Sequence, residues 1–267
     1  MYKTVMVFVL IATLLSGCQT SPSALDKAAT MVAQNISTVP PTETLLPAFT
    51  PSPTNTIIPK FTATPNISLT ATVEAFQVLS ELDVWVGSNS SIPYREGYLA
   101  WQQDEPITIN MTGPQKDVGV LQSIDENLNG ANFIFKSDVE WSASGILTCG
   151  LAFRAEDLAL GKQYQFYFYR LSGLPAYTID VYDFGRFKNT ISDLKFSEGI
   201  NSDNGASNEF LIVAKDDQFT IYVNGKRQGQ FYDASKQRTD GLLAFLGWQE
   251  SGKGSCTFEN SWMWIIE

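Results

Sequence analysis

The stretch Asn132-Phe133-Ile134-Phe135-Lys136-Ser137-Asp138-Val139-Glu140-Trp141-Ser142 sets Phe133, Phe135, Val139 and Trp141 against Ile134, Lys136, Asp138 and Glu140. Successive side chains of a strand point to opposite faces, so this period of two predicts a half-buried β-strand. Downstream, Gly145 to Arg154 repeats the pattern, with Leu147, Cys149, Leu151 and Phe153 on one side and Thr148, Gly150, Ala152 and Arg154 on the other. Further strands are predicted at Tyr164 to Leu171, Ala176 to Asp183, Glu209 to Lys215, Gln218 to Val223, Gln228 to Tyr232, Leu242 to Gln249 and Ser255 to Ile266. Asn224-Gly225 marks a hairpin, because both central residues of a type I′ turn need positive φ. Many short strands separated by turns predict an antiparallel β-sandwich. Its core is expected to take Phe166, Phe168, Ile179, Val181, Phe219, Ile221, Val223, Leu242, Ala244 and Leu246.

Upstream, Leu69, Val73, Phe76, Leu79 and Leu82 fall at helical spacing, which predicts a short amphipathic helix over 69–82 leading into a domain over 83–267. Ahead of it, 37–72 is a run of Thr-Pro and Ser-Pro steps with only Glu43 and Lys60 charged. Proline removes backbone donors and favours extended geometry, so this segment reads as a disordered linker. Extended at about 3.1 Å per residue, it reaches on the order of 100 Å.

The chain opens with Lys3, an apolar run from Val5 to Leu14, and Leu15-Ser16-Gly17-Cys18. This resembles a bacterial lipoprotein signal peptide over 1–17. The resemblance implies cleavage before Cys18, a diacylglyceryl group on its sulfur, and a tethered N-terminus over 18–36. The protein would then sit extracytoplasmically, anchored by lipid to the cell membrane or outer surface. Val5 to Leu15, rising about 1.5 Å per residue, is too short to cross a hydrocarbon core of about 30 Å. A plain secretory signal fits the same start, but leaves the small-small-Cys ending unexplained.

With Cys18 consumed by lipid, Cys149 and Cys256 remain, in a compartment where disulfides persist. Both occupy inward strand positions, and a Cys149–Cys256 bridge is the expectation, against two buried free thiols. The net charge of −10 argues against nucleic acid, which calls for clustered Lys and Arg. The longest basic cluster is Lys226-Arg227. The sequence contains no histidine, which removes Ser-His-Asp, Cys-His and His-zinc mechanisms.

The order of the pieces carries a second resemblance. Asn132 to Trp141, Gly145 to Arg154, Tyr164 to Tyr169, Asn208 to Ala214, Ile221 to Gly225, Asp240 to Leu246 and Thr257 to Trp264 resemble concanavalin A-like jelly rolls of the laminin-G and 3-keto-disaccharide-hydrolase-like kind. This implies an all-β, antiparallel jelly-roll β-sandwich over about Asp83 to Glu267. Glycanases of that fold use a Glu-x-Asp-x-x-Glu strand. Here Glu81-Leu82-Asp83 begins the pattern, but Val86 stands in the third place. Asp180 and Asp183 fall on opposite faces of a strand, unsuited to joint acid–base work. Domains of the laminin-G kind hold calcium at the rim. Asp216-Asp217 and Asp203-Asn204 are candidates by composition, the first pair equally a turn between strands.

Opposite the predicted core, Arg154, Gln165, Tyr167, Tyr169, Asp180, Tyr182, Thr220 and Tyr222 share a face. Rings pack on the apolar faces of sugars while Arg, Asp and Gln bond to hydroxyls, so this surface suits a glycan or another surface polymer. The alternative is that tyrosine is a good strand residue and the Phe184 to Ser207 loop covers the face. Trp101, Trp141, Trp248, Trp262 and Trp264 are read as packing. The functional expectation is a surface lipoprotein presenting a non-catalytic carbohydrate-binding module. The alternatives are a hydrolase similar to the 3-keto-glycoside hydrolases, or a protein-interaction scaffold.

Overall fold

A computed structural model describes residues 68–266, except positions 88, 90, 116, 117 and 172. Cys18, the signal-like segment and nearly all of the linker lie outside the described residues. The described chain opens with α1 (Ser68–Trp85) and continues through a short 3₁₀ turn (Tyr94–Glu96), and its other regular elements are all strands. The strands are β1 (Tyr98–Gln102), β2 (Ile107–Thr112), β3 (Val120–Ser123), β4 (Phe133–Ala143), β5 (Leu147–Ala155), β6 (Gln163–Leu171) and β7 (Leu174–Asp183). They continue as β8 (Arg186–Phe196), β9 (Ser207–Lys215), β10 (Gln218–Val223), β11 (Lys226–Tyr232), β12 (Leu242–Gln249) and β13 (Lys253–Ile265).

Two antiparallel sheets pack face to face as a jelly-roll sandwich. One runs β1-β13-β4-β9-β10-β11, with β2 also on β13; the other runs β3-β12-β5-β6-β7-β8. Their inner faces form a core rich in phenylalanine, including Phe133, Phe135, Phe153, Phe166, Phe210 and Phe245, all without solvent exposure. The alternation of β4 is realised: Phe133, Phe135, Val139 and Trp141 all point into that core. Cys149 of β5 and Cys256 of β13 meet across it in a disulfide. The bridge closes a separation of 107 residues, contributing about 4–5 kcal/mol in the chain-entropy view.

Four expectations change. The helix runs on to Trp85, and its buried face is Val78, Leu82 and Trp85, continued by Val86 just beyond it, whereas Val73 and Phe76 are exposed. Residues 184–207 are no covering loop, because Phe184-Gly185, both at positive φ, turn the chain into β8, which extends the sheet at its edge. On β12 the inward residues are Leu243 and Phe245, not Leu242, Ala244 and Leu246. Leu243 to Leu246 are all fully buried, so a continuous apolar run hid the period. Finally, β1, β2 and β3 join strands that the sequence reading left unassigned.

The outer face of the first sheet is apolar and covered. Ile134, Leu211, Val213, Tyr222, Trp262 and Trp264 form a second hydrophobic cluster with α1. Polar contacts fix the helix there. The Trp262 indole donates to Glu81 at 3.0 Å, and Lys136 lies 3.0 Å from Glu209, 3.1 Å from Asp138 and 3.9 Å from Glu81. Burial alone would lower the Lys136 pKa, but Asp138 and Glu209 outweigh it and hold the amine above its ordinary value.

Candidate functional site

Among the described residues, the second sheet carries no helix on its outer face. Register places Trp248 (β12), Thr148 (β5) and Tyr169 (β6) side by side in one row. Neighbouring strands lie about 4.8 Å apart, so the backbones bearing the two aromatic residues stand about 10 Å apart with the short Thr148 between them. Tyr167 and Tyr182 extend the aromatic floor: ring centroids are 5.7 Å apart for Tyr167–Tyr169, 6.4 Å for Tyr167–Tyr182, and 6.1 Å for Tyr182–Phe187 on β8. Gln115 joins Thr148, Tyr167, Tyr169, Tyr182 and Trp248 around a cavity of about 290 Å³. That lies at the small end of the range for ligand pockets.

The polar groups are of two kinds. Beneath the surface they satisfy one another: Tyr167 donates to Gln165, Gln165 to Gln163 at 3.2 Å, and Thr178 and Thr190 to Asp180. Burial raises the Asp180 pKa, against which the two threonine bonds act. At the cavity, by contrast, the Tyr169 hydroxyl and the Trp248 indole N–H have no hydrogen-bond partner among the described residues. Gln115 donates its amide to the Thr112 carbonyl at 2.7 Å, leaving its own carbonyl oxygen to accept. Burial drives the Tyr169 pKa up and that of Tyr167 well up, so both are neutral hydroxyls at neutral pH. No described charged side chain lines this cavity.

The sequence-derived candidates divide accordingly. Tyr167, Tyr169 and Tyr182 line the cavity, and Gln165 and Asp180 lie in the polar layer below. Tyr222 belongs to the other sheet. It is buried under α1, with the Trp85 ring edge-on at 6.1 Å, and Thr220 follows it on β10. Alternation tells which side of a strand a residue takes, but not which sheet the strand joins.

Arg154 is also no ligand group. It sits at positive φ beside a register shift between β5 and β12, which turns it out of the face. Its guanidinium donates to the carbonyls of Ala131 at 2.6 Å and Asp216 at 2.7 Å, over the Phe219 ring. At 1 % exposure its pKa is lowered, by burial.

Trp248 is the residue that sequence reasoning missed, having been read as packing. Its side was hidden with the rest of β12 by the apolar run Leu242 to Leu246, and only the pairing of Trp248 with Thr148 reveals it. Of the calcium candidates, Asp216 is in the β9–β10 turn at positive φ, while the Asp203 carbonyl and the Asn204 side chain accept bonds from Trp141 and Ala143. Among the described residues no three Cys, Asp or Glu side chains gather in one place. Glu81 and Asp83 lie on α1, where Asp83 accepts from Tyr94 and Arg95, so they form no catalytic strand.

No family model and no curated protein sequence matches the chain. Among solved structures, it is similar to the carbohydrate-binding module CBM66 from Bacillus subtilis, at 17% identity over 51% of this chain and 77% of that one, TM-score 0.42. It is also similar to sheep galectin-11, at 12% identity over 56% and 99%, TM-score 0.39. A third is the Bacillus licheniformis β-glucanase, at 9% identity over 62% and 82%, TM-score 0.41. Identities this low say nothing of what this chain binds.

Proposed function

We propose that this protein is a cell-surface lipoprotein, anchored through Cys18, whose sandwich is a non-catalytic binding module for an uncharged carbohydrate. The observation that carries the binding reading is the slot between Trp248 and Tyr169. Its walls are aromatic, its floor is Thr148 and Tyr167, and unpaired donors and an acceptor border it. A pyranose presents apolar C–H faces to rings and hydroxyls to such polar groups. The described lining residues include no carboxylate, whereas glycoside hydrolysis ordinarily uses two flanking the bond. The absence of charge among the described lining residues favours neutral sugars.

Binding of the intact protein to an array of neutral glycans tests the module, with retention expected for one sugar class and no product released. Retention of none would refute it. The anchor is tested separately by Cys18→Ser, which should move the protein from the membrane fraction to the soluble one. An unchanged distribution would refute the anchor.

A further inference from the structure

A second cavity, of about 570 Å³, opens where the C-terminal end of α1 meets the β10–β11 hairpin. Trp85 and Tyr222 form its aromatic wall, edge to face at 6.1 Å, and the exposed Val84 adds an apolar lip. Its polar groups are unbalanced. The side-chain amide acceptors are used: Asn89 Oδ1 takes the Ser91 amide and hydroxyl, and Gln230 Oε1 takes one Arg227 nitrogen at 2.9 Å, while the Ser91 carbonyl takes Lys215.

The donors are not. Trp85 Nε1, the Tyr222 hydroxyl and Asn89 Nδ2 have no partner among the described residues. Arg227 makes its single bond to Gln230 and, among the described residues, no ion pair. Gln230 is itself fixed by donating to Gln218 at 2.6 Å, and both Gln230 and Arg227 line the cavity. No described carboxylate lines the space. The partial negative charge at the helix C-terminus opposes an anion there, but its half unit is smaller than the full charge of Arg227, beside which Lys226 stands.

We propose that this cleft binds an anionic sugar, its carboxylate, sulfate or phosphate held by Arg227 and its ring against Trp85 and Tyr222. The site is independent of the Trp248–Tyr169 slot, which lies on the other sheet and has no charged side chain among its described lining residues.

The test is a calorimetric titration of the full mature chain with trigalacturonate at fixed ionic strength, with a neutral galactose trisaccharide and inorganic sulfate as comparators. Saturable binding of trigalacturonate is expected, weakened about tenfold or more by Arg227→Gln, as suits loss of a charge-assisted pair. Tyr222→Phe, which removes one donor and leaves the ring, should weaken it less. Tyr169→Ala should leave it unchanged. Arg227 is exposed, so the variant should keep the wild-type melting temperature; Tyr222→Phe provides the reading should it not. The proposal is overturned if trigalacturonate does not bind or binds Arg227→Gln as it binds wild type. It is equally overturned if Lys226→Gln costs as much, if sulfate alone binds as tightly, or if Arg227→Gln weakens the neutral trisaccharide equally.

Discussion

The two outer faces of this sandwich have opposite fates. On the β4–β9–β10–β13 side, six large apolar residues would face water, and α1 covers them with Val78, Leu82, Trp85 and Val86. On the β12–β5–β6–β7 side, the outward residues are mixed, with tyrosine, tryptophan, threonine, glutamine and Asp180 beside the buried Ala152, Ala244 and Leu246, and among the described residues no helix packs there. An apolar face must be covered to be stable in water, whereas an aromatic face with polar edges can stay partly open. The difference separates what the two faces do: substitutions on the first should cost stability, and those on the second should cost binding.

Leu82→Ala should have the largest effect. Leu82 is fully buried between α1 and the sheet, and the change should lower unfolding free energy by about 3 kcal/mol in urea titration, through lost burial and the cavity left. Lys136→Met should follow at about 2 kcal/mol, because Asp138 and Glu209 lose the cation they share. Hydrogen exchange in that variant should quicken first in α1. If neither change alters stability, the helix is not what seals this face.

The open face makes a weaker, pH-dependent contribution. Burial raises the Tyr167 pKa well above its ordinary value of about 10, so the folded protein keeps a proton that the unfolded chain loses. The stability from keeping Tyr167 neutral is therefore complete below about pH 10 and is lost as pH rises further, by up to about 1.4 kcal/mol per pH unit. Denaturation midpoints between pH 8 and 11 read this, and Tyr167→Phe should flatten the fall.

Much of this could be read from residues alone where one face was polar and the other apolar. β4 and β5 announced themselves by strict alternation, and Asn224-Gly225 by its turn chemistry, with φ of 47° and 75°. The Cys149–Cys256 pairing followed from parity. β8 did not announce itself, because an edge strand buries little and its Arg186–Phe196 sequence is mostly exposed. Its turn places a phenylalanine, Phe184, in the left-handed region, where turn rules look for Gly or Asn. Of the site, Tyr167, Tyr169 and Tyr182 were legible because one sheet holds β6 and β7 together. Tyr222 was misplaced because sheet membership is decided by long-range pairing. Arg154 was misplaced because a local backbone irregularity redirected an otherwise outward residue.

The most direct test compares the faces in one experiment: neutral oligosaccharide titrated into wild type, the Tyr169→Ala, Trp248→Ala double variant, and Leu82→Ala, with unfolding free energies measured alongside. We expect the double variant to lose saturable binding while its stability falls by less than about 1 kcal/mol, as befits half-buried side chains, and Leu82→Ala to bind as wild type while losing about 3 kcal/mol. Undiminished binding by the double variant, or binding lost in proportion to stability across all three proteins, would contradict the assignment of recognition to the open face.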